Sequence, residues 1–244
     1  MSCNGEFVDN ATGTAISTSD APSELCDVCP GIFITFEGGE GAGKSTHIGI
    51  LGEALSAHGY EVVLLREPGG TSIGESLRAL VLNPDNDELC NECELLVYEA
   101  ARAQLVAQVI KPALARGAVV LCDRFTDSTI AYQAFGRGLS LSCVRRANEF
   151  ACQGVHPDRT ILLVPPSVAT GLDRATSACG ADRLEGAGCD FHARVNRAFL
   201  GLALDDPDRI RVVHTAETKS ETASSVFRAL SDIFPCLMGC SRDV

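Results

Sequence analysis

The chain has 244 residues, of which 45% are hydrophobic, which is enough for one folded domain and excludes a wholly disordered chain. Its net charge of −12 argues against binding to long nucleic acids, which favour basic proteins, but not against a local nucleotide pocket. No apolar run approaches the roughly 18 residues of a membrane-spanning helix.

Residues 1–29 differ in composition from the rest of the chain. They contain no Lys or Arg and carry five acids: Glu6, Asp9, Asp20, Glu24 and Asp27. Mitochondrial transit peptides are rich in Arg, and secretory signals begin with basic residues and an apolar stretch, so neither is predicted. The sequence predicts an acidic, flexible arm at 1–29, a single domain at 30–244 and a cytoplasmic location.

Strand and helix patterns alternate after residue 30. Strands are predicted at 32–36, 61–65, 118–122, 159–164 and 210–214. Helices are predicted at 44–58, 71–82, 92–116, 140–152, 167–178, 190–204 and 219–234. Continuous apolar strands separated by helices favour a parallel sheet covered on both faces, with ligands bound beyond the carboxyl ends of the strands.

A glycine-rich segment joins the first strand to the first helix. It reads Gly38-Gly39-Glu40-Gly41-Ala42-Gly43-Lys44-Ser45-Thr46 and matches G-x-x-x-x-G-K-[ST], the phosphate-binding P-loop. Lys44 is expected to reach the β- and γ-phosphates, and Ser45 to hold Mg²⁺ through its hydroxyl. A glycine-rich turn that binds nothing is the alternative, which the flanking strand and helix disfavour.

The second strand ends in Arg66-Glu67-Pro68-Gly69-Gly70-Thr71. Pro and Gly-Gly end the strand, and Thr71 is a suitable N-cap for the following helix. A plain turn explains this pattern. The turn also lies at the predicted ligand edge of the sheet and brings Glu67 there, while the next helix brings Arg78.

The predicted helix at 92–116 carries two patterns. One is a stripe predicted to be buried: Leu96, Ala100, Ala103, Ala107, Ile110 and Leu114. The other is Tyr98 and Arg102, which lie off that stripe and four residues apart, so they are neighbours on the helix surface. An aromatic ring beside a guanidinium can hold a nucleobase, and a solvent-facing cation–π pair is an equal alternative.

The third strand ends in Cys122-Asp123-Arg124. An acid at the end of an apolar strand resembles a Walker-B segment, whose Asp holds Mg²⁺ directly or through water. Arg124 follows at once and is placed to stabilise charge on a transferred phosphoryl group. A loop salt bridge is the alternative for this Asp-Arg pair.

Twelve cysteines are present, and two Cys-x-x-Cys pairs stand out: Cys26 with Cys29, and Cys90 with Cys93. Two such pairs can form a tetrahedral zinc site, but their wide separation is unlike a compact zinc ribbon, so we do not expect zinc. Apolar surroundings predict that Cys122, Cys143 and Cys152 are small buried hydrophobes.

Several motifs occur together in a fixed order: the P-loop with an acid inside it, Arg-Glu-Pro-Gly-Gly-Thr at 66–71, Tyr-x-Ala-Ala-Arg-x-Gln-Leu at 98–105, Asp-Arg at 123–124, Ser128-Thr129, Ala131-Tyr132-Gln133, Gly136-Arg137-Gly138 and Asp182-Arg183-Leu184-Glu185. Together they resemble thymidylate kinase of the bacterial type over about 31–234. The resemblance implies a P-loop fold of the nucleoside monophosphate kinase type, with a five-stranded parallel sheet, helices on both faces and a small lid.

The resemblance also implies a reaction, in which ATP with Mg²⁺ phosphorylates dTMP to dTDP. Lys44, Glu40 and Arg124 would act at the transferred phosphoryl group, with Ser45 and Asp123 holding the metal. The implied dTMP-binding residues are Glu67, Pro68, Arg78, Tyr98, Arg102, Arg124, Ser128, Thr129, Tyr132 and Gln133. Among these, Tyr98 would stack on thymine, Arg102 would meet the edge of the base, Tyr132 would lie beneath the deoxyribose, and the bond before Pro68 would be cis. Glu40 would contact the 3′-hydroxyl.

One departure from the family pattern concerns the lid, which the resemblance places at about 174–187. Relatives tend to carry several arginines there, whereas this lid offers Arg174 and Arg183 alone as catalytic candidates. Two alternatives therefore stay open: a kinase for another nucleoside monophosphate, or a weakly active nucleotide-binding protein whose cysteine-bearing arm docks a metal or a partner. A homodimer is expected by resemblance.

Overall fold

A computed structural model of the protein describes residues 30–166 and 188–239. These residues form a five-stranded parallel sheet with the order β2-β3-β1-β4-β5. The strands are β1 (Ile32–Glu37), β2 (Val62–Arg66), β3 (Val119–Asp123), β4 (Arg159–Val164) and β5 (Ile210–His214). The predicted strands and their parallel arrangement are confirmed.

Helices connect these strands and cover both faces of the sheet. They are α1 (Lys44–Ala57), α2 (Ser72–Leu82), α3 (Asn91–Leu105), α4 (Lys111–Ala115), α5 (Thr126–Thr129), α6 (Leu141–Cys152), α7 (Cys189–Asp205) and α8 (Lys219–Ala229). π-Helical turns occupy Val106–Ile110 and Ile130–Gly136, and a 3₁₀ turn occupies Pro235–Gly239. The helix predicted at 167–178 lies outside the described residues.

Two helical predictions need correction. The helix predicted at 92–116 is interrupted by the π-helical turn between α3 and α4, since the backbone there accommodates an extra residue. The helix predicted at 219–234 ends at Ala229. Sequence reasoning also missed the helical stretch formed by α5 and the π-helical turn after it, because its polar start Thr126-Asp127-Ser128-Thr129 lacks an apolar helical period.

Alternation along β1 sends side chains to opposite faces of the sheet. Ile34 and Phe36 pack in one core cluster with residues of α1 and α8, whereas Phe33 packs in another with Leu105 and Phe125. Glu37, the last residue of the strand, follows Phe33 and Thr35 on the second face. The P-loop begins immediately after it, so the buried strand holds the loop at the carboxyl edge of the sheet.

The predicted buried stripe, which runs from α3 through the π-helical turn into α4, is confirmed at Ile110 but is wrong at three of its six positions. Leu96 is 63% exposed, and Ala100 and Ala107 are also exposed. The buried face of the helix instead carries Leu95, Arg102 and the acids Glu94 and Glu99. Burial of this polar set is feasible because each charge has an ionic or hydrogen-bonded partner in the fold.

The described cysteines are free thiols: Cys90, Cys93, Cys122, Cys143, Cys152, Cys189 and Cys236. Cys122 and Cys152 are buried as predicted, but Cys143 is exposed on the outer side of α6. Across 30–166 and 188–239, none of the helices has the length and apolar character needed to cross a bilayer.

Candidate active site

The P-loop wraps around the start of α1 at the carboxyl edge of the sheet. Gly38 and Gly43 both have left-handed backbones, with φ of 133° and 87°. A β-carbon on Gly38 would lie 2.3 Å from the carbonyl oxygen of Leu163, so this position requires glycine. The loop and the helix start direct backbone N–H groups at one place, which suits a phosphate.

Lys44 is buried inside this loop. Its Nζ donates to the carbonyl oxygens of Gly39 at 2.9 Å and Gly38 at 3.2 Å. Burial and the nearby Arg124 lower the pKa of Lys44, while Glu40 and Asp123 oppose the shift. The ammonium is thus held at the cradle by weak carbonyl partners that a phosphate can replace.

Ser45 and Asp123 lie side by side, as expected of a site for Mg²⁺. The Ser45 hydroxyl donates to Asp123 Oδ2 at 2.6 Å. Pairing of β1 with β3 places Asp123 opposite Phe36, directly beneath the P-loop. Within 30–166 and 188–239, no cluster of three metal-binding side chains occurs. One hydroxyl and one carboxylate still suit Mg²⁺, which usually completes its shell with water and substrate phosphates.

Arg124 lies between the P-loop and a second cavity, in a left-handed conformation with φ of 69°. Its guanidinium donates to the Gly38 carbonyl at 3.1 Å, to Ser128 Oγ at 3.1 Å and to Glu40 Oε1 at 2.6 Å. Burial lowers the pKa of Arg124, but Glu40 and the other nearby acids outweigh it and raise the pKa well above the usual value. The group is a fixed positive charge.

Glu40, the acid inside the P-loop, accepts from Arg124 and also from the Tyr132 hydroxyl at 2.8 Å. Burial raises the pKa of Glu40, but Arg124 and Lys44 outweigh it, so the pKa falls to about 2. The carboxylate is therefore ionised at neutral pH and joins the phosphate cradle to the second cavity.

Two cavities meet at these residues. The larger, about 650 Å³, runs along the P-loop, and the smaller, about 170 Å³, opens on the far side of Arg124. The smaller cavity is lined by nine of the predicted dTMP-binding residues: Glu67, Pro68, Arg78, Tyr98, Arg124, Ser128, Thr129, Tyr132 and Gln133. Sequence reasoning missed one further apolar wall residue, Leu82.

The turn after β2 forms one wall of the smaller cavity. The Glu67–Pro68 peptide bond is cis, as predicted. Arg78 on α2 donates to the Pro68 carbonyl at 2.9 Å, and Thr71 caps the helix by accepting from the Gly74 amide. The turn thus holds Arg78, which lines the cavity together with Arg124.

Arg102, the remaining predicted dTMP-binding residue, lies behind this wall and is 2% exposed. Its five N–H donors are all engaged, with acceptors on Glu67, Glu99, Thr129 and Asn148. To donate a hydrogen bond to a base, Arg102 would have to share one N–H group between two acceptors or give up one of its present acceptors. The contact of Arg102 with the base therefore stays a prediction, and its place in the structure is at the centre of a buried ionic cluster.

Sequence reasoning also missed one wall of the larger cavity. The loop from β5 into α8 contributes Thr215, Ala216, Glu217 and Thr218, helix α8 itself contributes Lys219 and Thr222, and α1 contributes His47. The available signal was the capping box of Thr218 and Glu221, which marks the start of α8 at the ligand edge of the sheet. Arg174, Arg183 and the predicted lid at 174–187 lie outside the described residues.

The parallel sheet, the P-loop cradle and the second cavity across Arg124 define a P-loop nucleotide-binding protein of the phosphotransferase class. A family model for thymidylate kinase matches residues 36–226. The chain therefore belongs to the thymidylate kinase family.

Individual relatives agree with the family match. The chain is 46% identical over 214 residues to a thymidylate kinase of Desulforudis audaxviator, covering 86% of this chain and 96% of the relative. It is 46% identical over 211 residues to that of Geobacter sulfurreducens, covering 84% and 99%. A crystal structure of thymidylate kinase from Ehrlichia chaffeensis superposes with a TM-score of 0.67 at 34% identity, covering 83% of this chain and 99% of that one.

Proposed function

We propose that this protein transfers the γ-phosphoryl group of ATP to the phosphate of dTMP, forming ADP and dTDP. The observation that carries the proposal is the pair of cavities that share Glu40 and Arg124. The larger cavity, with the P-loop, suits a triphosphate, and the smaller suits a nucleoside monophosphate. A phosphate in each would meet at the guanidinium of Arg124.

The chemistry needs positioning and charge stabilisation more than a protein nucleophile. A phosphate oxygen of dTMP attacks the γ-phosphorus of ATP, and the bond to the β–γ bridging oxygen breaks as ADP leaves. Lys44 and Arg124 hold charge on the equatorial oxygens. Mg²⁺ bound with ATP would neutralise phosphate charge, held by Ser45 and Asp123.

The residues that line the smaller cavity suit the recognition of a nucleoside monophosphate. Tyr98 would stack on the base, with Thr129 and Gln133 near its edge. Tyr132 would lie beneath the sugar, where its ring leaves little room for a 2′-hydroxyl, and Glu40 would accept from the 3′-hydroxyl. Arg78 and Arg124 would hold the phosphate.

A coupled assay of ADP release tests this proposal with dTMP, dUMP, dCMP and UMP as acceptors. We expect kcat/KM to be greatest for dTMP, lower for dUMP, and lowest for dCMP and UMP. Equal use of dCMP and dTMP would favour the alternative of a kinase for another monophosphate. Tight dTMP binding with almost no turnover would favour the weakly active nucleotide-binding alternative.

We also propose a homodimer that works in the cytoplasm. The exposed apolar residues Ile73 and Leu80 on α2, Leu96 on α3 and Phe150 on α6 support a dimer interface on these helices. Free thiols at the described cysteines support a reducing compartment.

A further inference from the structure

Glu37 is a buried carboxylate that lines neither cavity among the described residues, yet faces the active-site turn after β3. It is 1% exposed. Its Oε1 accepts from the backbone N–H groups of Phe125 at 2.8 Å and Ser128 at 3.1 Å, and its Oε2 accepts from the Ser128 hydroxyl at 2.5 Å. Three donors of one turn therefore converge on one side chain.

The Glu37 carboxylate satisfies backbone N–H groups of the 124–128 turn that would otherwise have no acceptor. The short helix α5 begins after Phe125, whose side chain offers no cap bond. Helix starts leave N–H groups without an acceptor, and Phe125 is fully buried, so water does not replace one. Glu37 supplies the missing acceptor from the neighbouring strand β1.

The residue just before this turn is Arg124, whose left-handed φ of 69° is strained for a residue with a side chain. Strained backbones persist only where their surroundings hold them. On one side the Arg124 amide donates to the Phe36 carbonyl at 2.9 Å, and on the other Glu37 holds the next amide along. The end of β1 thus holds Arg124 through both neighbouring peptide groups.

A second connection runs through side chains. Ser128 Oγ donates to Glu37 and accepts from Arg124 Nη1 at 3.1 Å. The position of the Arg124 guanidinium therefore depends, through the Ser128 hydroxyl, on the position of the Glu37 carboxylate. Arg124 in turn donates to Gly38 and Glu40 of the P-loop, which follows directly on Glu37 in the chain.

We propose that Glu37 is a positioning residue for phosphoryl transfer, which holds the 124–128 turn so that the Arg124 guanidinium lies between the two phosphate sites. This inference rests on the proposed function for the reaction it serves. Glu37 acts through Arg124 and Ser128 and touches no substrate. Its loss should therefore lower kcat and leave ATP binding by the P-loop largely intact.

The test compares Glu37→Gln, Ser128→Ala and their double variant with a matched control in the full-length protein. Glu37→Gln keeps the size of the side chain but places an amide N–H₂ against the Ser128 hydroxyl, which must then reorient. The control is Asp158→Asn, because Asp158 also accepts a β1 backbone amide, that of Phe33 at 2.7 Å, but at the other end of the strand. Melting temperature, kcat and KM for ATP and dTMP are measured for each.

We expect Glu37→Gln to lower kcat on the order of 10–100-fold, because a misplacement of about 1 Å has effects of that size. KM for ATP should change by less than about threefold, since uniform binding by the P-loop is retained. Asp158→Asn should keep kcat. The double variant should be no slower than the slower single variant, because both substitutions break the same connection to Arg124.

A kcat for Glu37→Gln within twofold of wild type would overturn the proposal. So would equal losses of kcat in Glu37→Gln and Asp158→Asn, because those would reflect stability alone. Hydrogen exchange at the Phe125 and Ser128 amides needs no turnover and separates this inference from the proposed function. Faster exchange in Glu37→Gln than in Asp158→Asn supports the positioning role even if dTMP is not the acceptor, and equal exchange contradicts it.

Discussion

Each arginine of this site donates hydrogen bonds to several acceptors, and the position of those acceptors indicates what the arginine does. Arg124 contacts the P-loop through Gly38 and Glu40 and the turn after β3 through Ser128. Arg102 is likewise fully bonded, but at the back of the pocket wall. The two arginines therefore have different expected consequences when they are removed.

Substitution of Arg124 by Ala should lower kcat by two orders of magnitude or more, in keeping with the ~10³–10⁵-fold effect of transition-state arginines. The reason is that Arg124 is the fixed positive charge between the two cavities. Arg116→Ala is the control, because Arg116 pairs with Glu61 on the exposed surface. Steady-state kinetics decide the matter, and an Arg124→Ala enzyme within threefold of wild type would mean that another group holds this charge.

Substitution of Arg102 by Ala should destabilise the fold by about 3–5 kcal/mol, because it leaves a buried carboxylate without its partner. Glu67 accepts from Arg102 at 2.6 Å, and both side chains are nearly inaccessible to water. Urea unfolding measures the loss, and adding Glu67→Gln should restore part of it. Full stability combined with equal use of dCMP and dTMP would instead identify Arg102 as a base contact.

Glu37 should make both stability and turnover depend on pH. Burial and the neighbouring Asp127 raise its pKa to about 7, against the Ser128 bond, Arg124 and the Phe125 amide, which lower it. Lys44 and Cys122 also lie within its electrostatic reach. The folded state keeps the Glu37 proton to a higher pH than the unfolded state does. The contribution of Glu37 to the free energy of unfolding therefore falls as pH rises from about 4.5 to about 7.

The measurement compares wild type with Glu37→Gln across that range. The unfolding free energy of wild type should fall relative to Glu37→Gln as pH rises toward 7 and stay level above it. The kcat of wild type should rise as pH passes through about 7, where the carboxylate of the folded enzyme ionises and accepts its amide bonds fully, so the measurements extend above pH 7. A Glu37→Gln enzyme with the same rise in kcat would assign the titration to another group.

The surroundings of a helix determine which of its faces is buried, as helix α3 shows. The buried face of helix α3 carries both apolar and charged residues, and α6 and the turn after β2 provide partners for its Arg102. The apolar residue Leu96 is left outside at 63% exposure. An exposed apolar helix face of this kind is suited to a second protein surface.

Substitution Leu96→Asp should therefore shift the protein from dimer to monomer, because it places a charge at the proposed interface. Leu204→Asp is the matched control, since Leu204 is 83% exposed on α7, away from that interface. Light scattering coupled to size-exclusion chromatography measures the mass of each. A monomeric wild type, or dissociation by Leu204→Asp instead, would contradict this interface.

At the scale of the whole molecule, the parallel sheet collects the functional residues at one edge. The P-loop follows β1, Glu67 and Pro68 follow β2, and Arg124 follows β3, so three carboxyl ends deliver the reacting groups to one place. The β5–α8 loop adds a wall to the larger cavity. Among the described residues, Cys90 and Cys93 line neither of these two cavities.

The purified protein should contain no stoichiometric zinc. Cys90 and Cys93 are exposed at the start of α3, and the described part of the chain offers them no set of three metal-binding groups. Elemental analysis of protein prepared without a histidine tag gives the answer. One zinc per chain would show that Cys26 and Cys29 join them as ligands, and substitution Cys90→Ser should then release it.

Features that depend on local spacing can be identified from the amino-acid sequence alone. The strands are apolar runs, the P-loop is a continuous motif of eight residues, and Asp123 and Arg124 come at the end of a buried strand, so each can be identified without knowing what packs against it. Even the residues of the smaller cavity came together largely as the family resemblance implied, because short motifs at strand ends meet at one edge of a parallel sheet.

Contacts between groups that are distant in the chain depend on how the whole chain folds. Glu37 and Phe125 are 88 positions apart, and Arg102 and Asn148 are 46 apart, so neither bond is visible in any local pattern. The prediction from apolar spacing was wrong for Leu96, because the buried face of α3 holds charged residues with partners together with other apolar residues. Local periodicity reports the properties of one segment, whereas burial and hydrogen bonding depend on the segments that surround it.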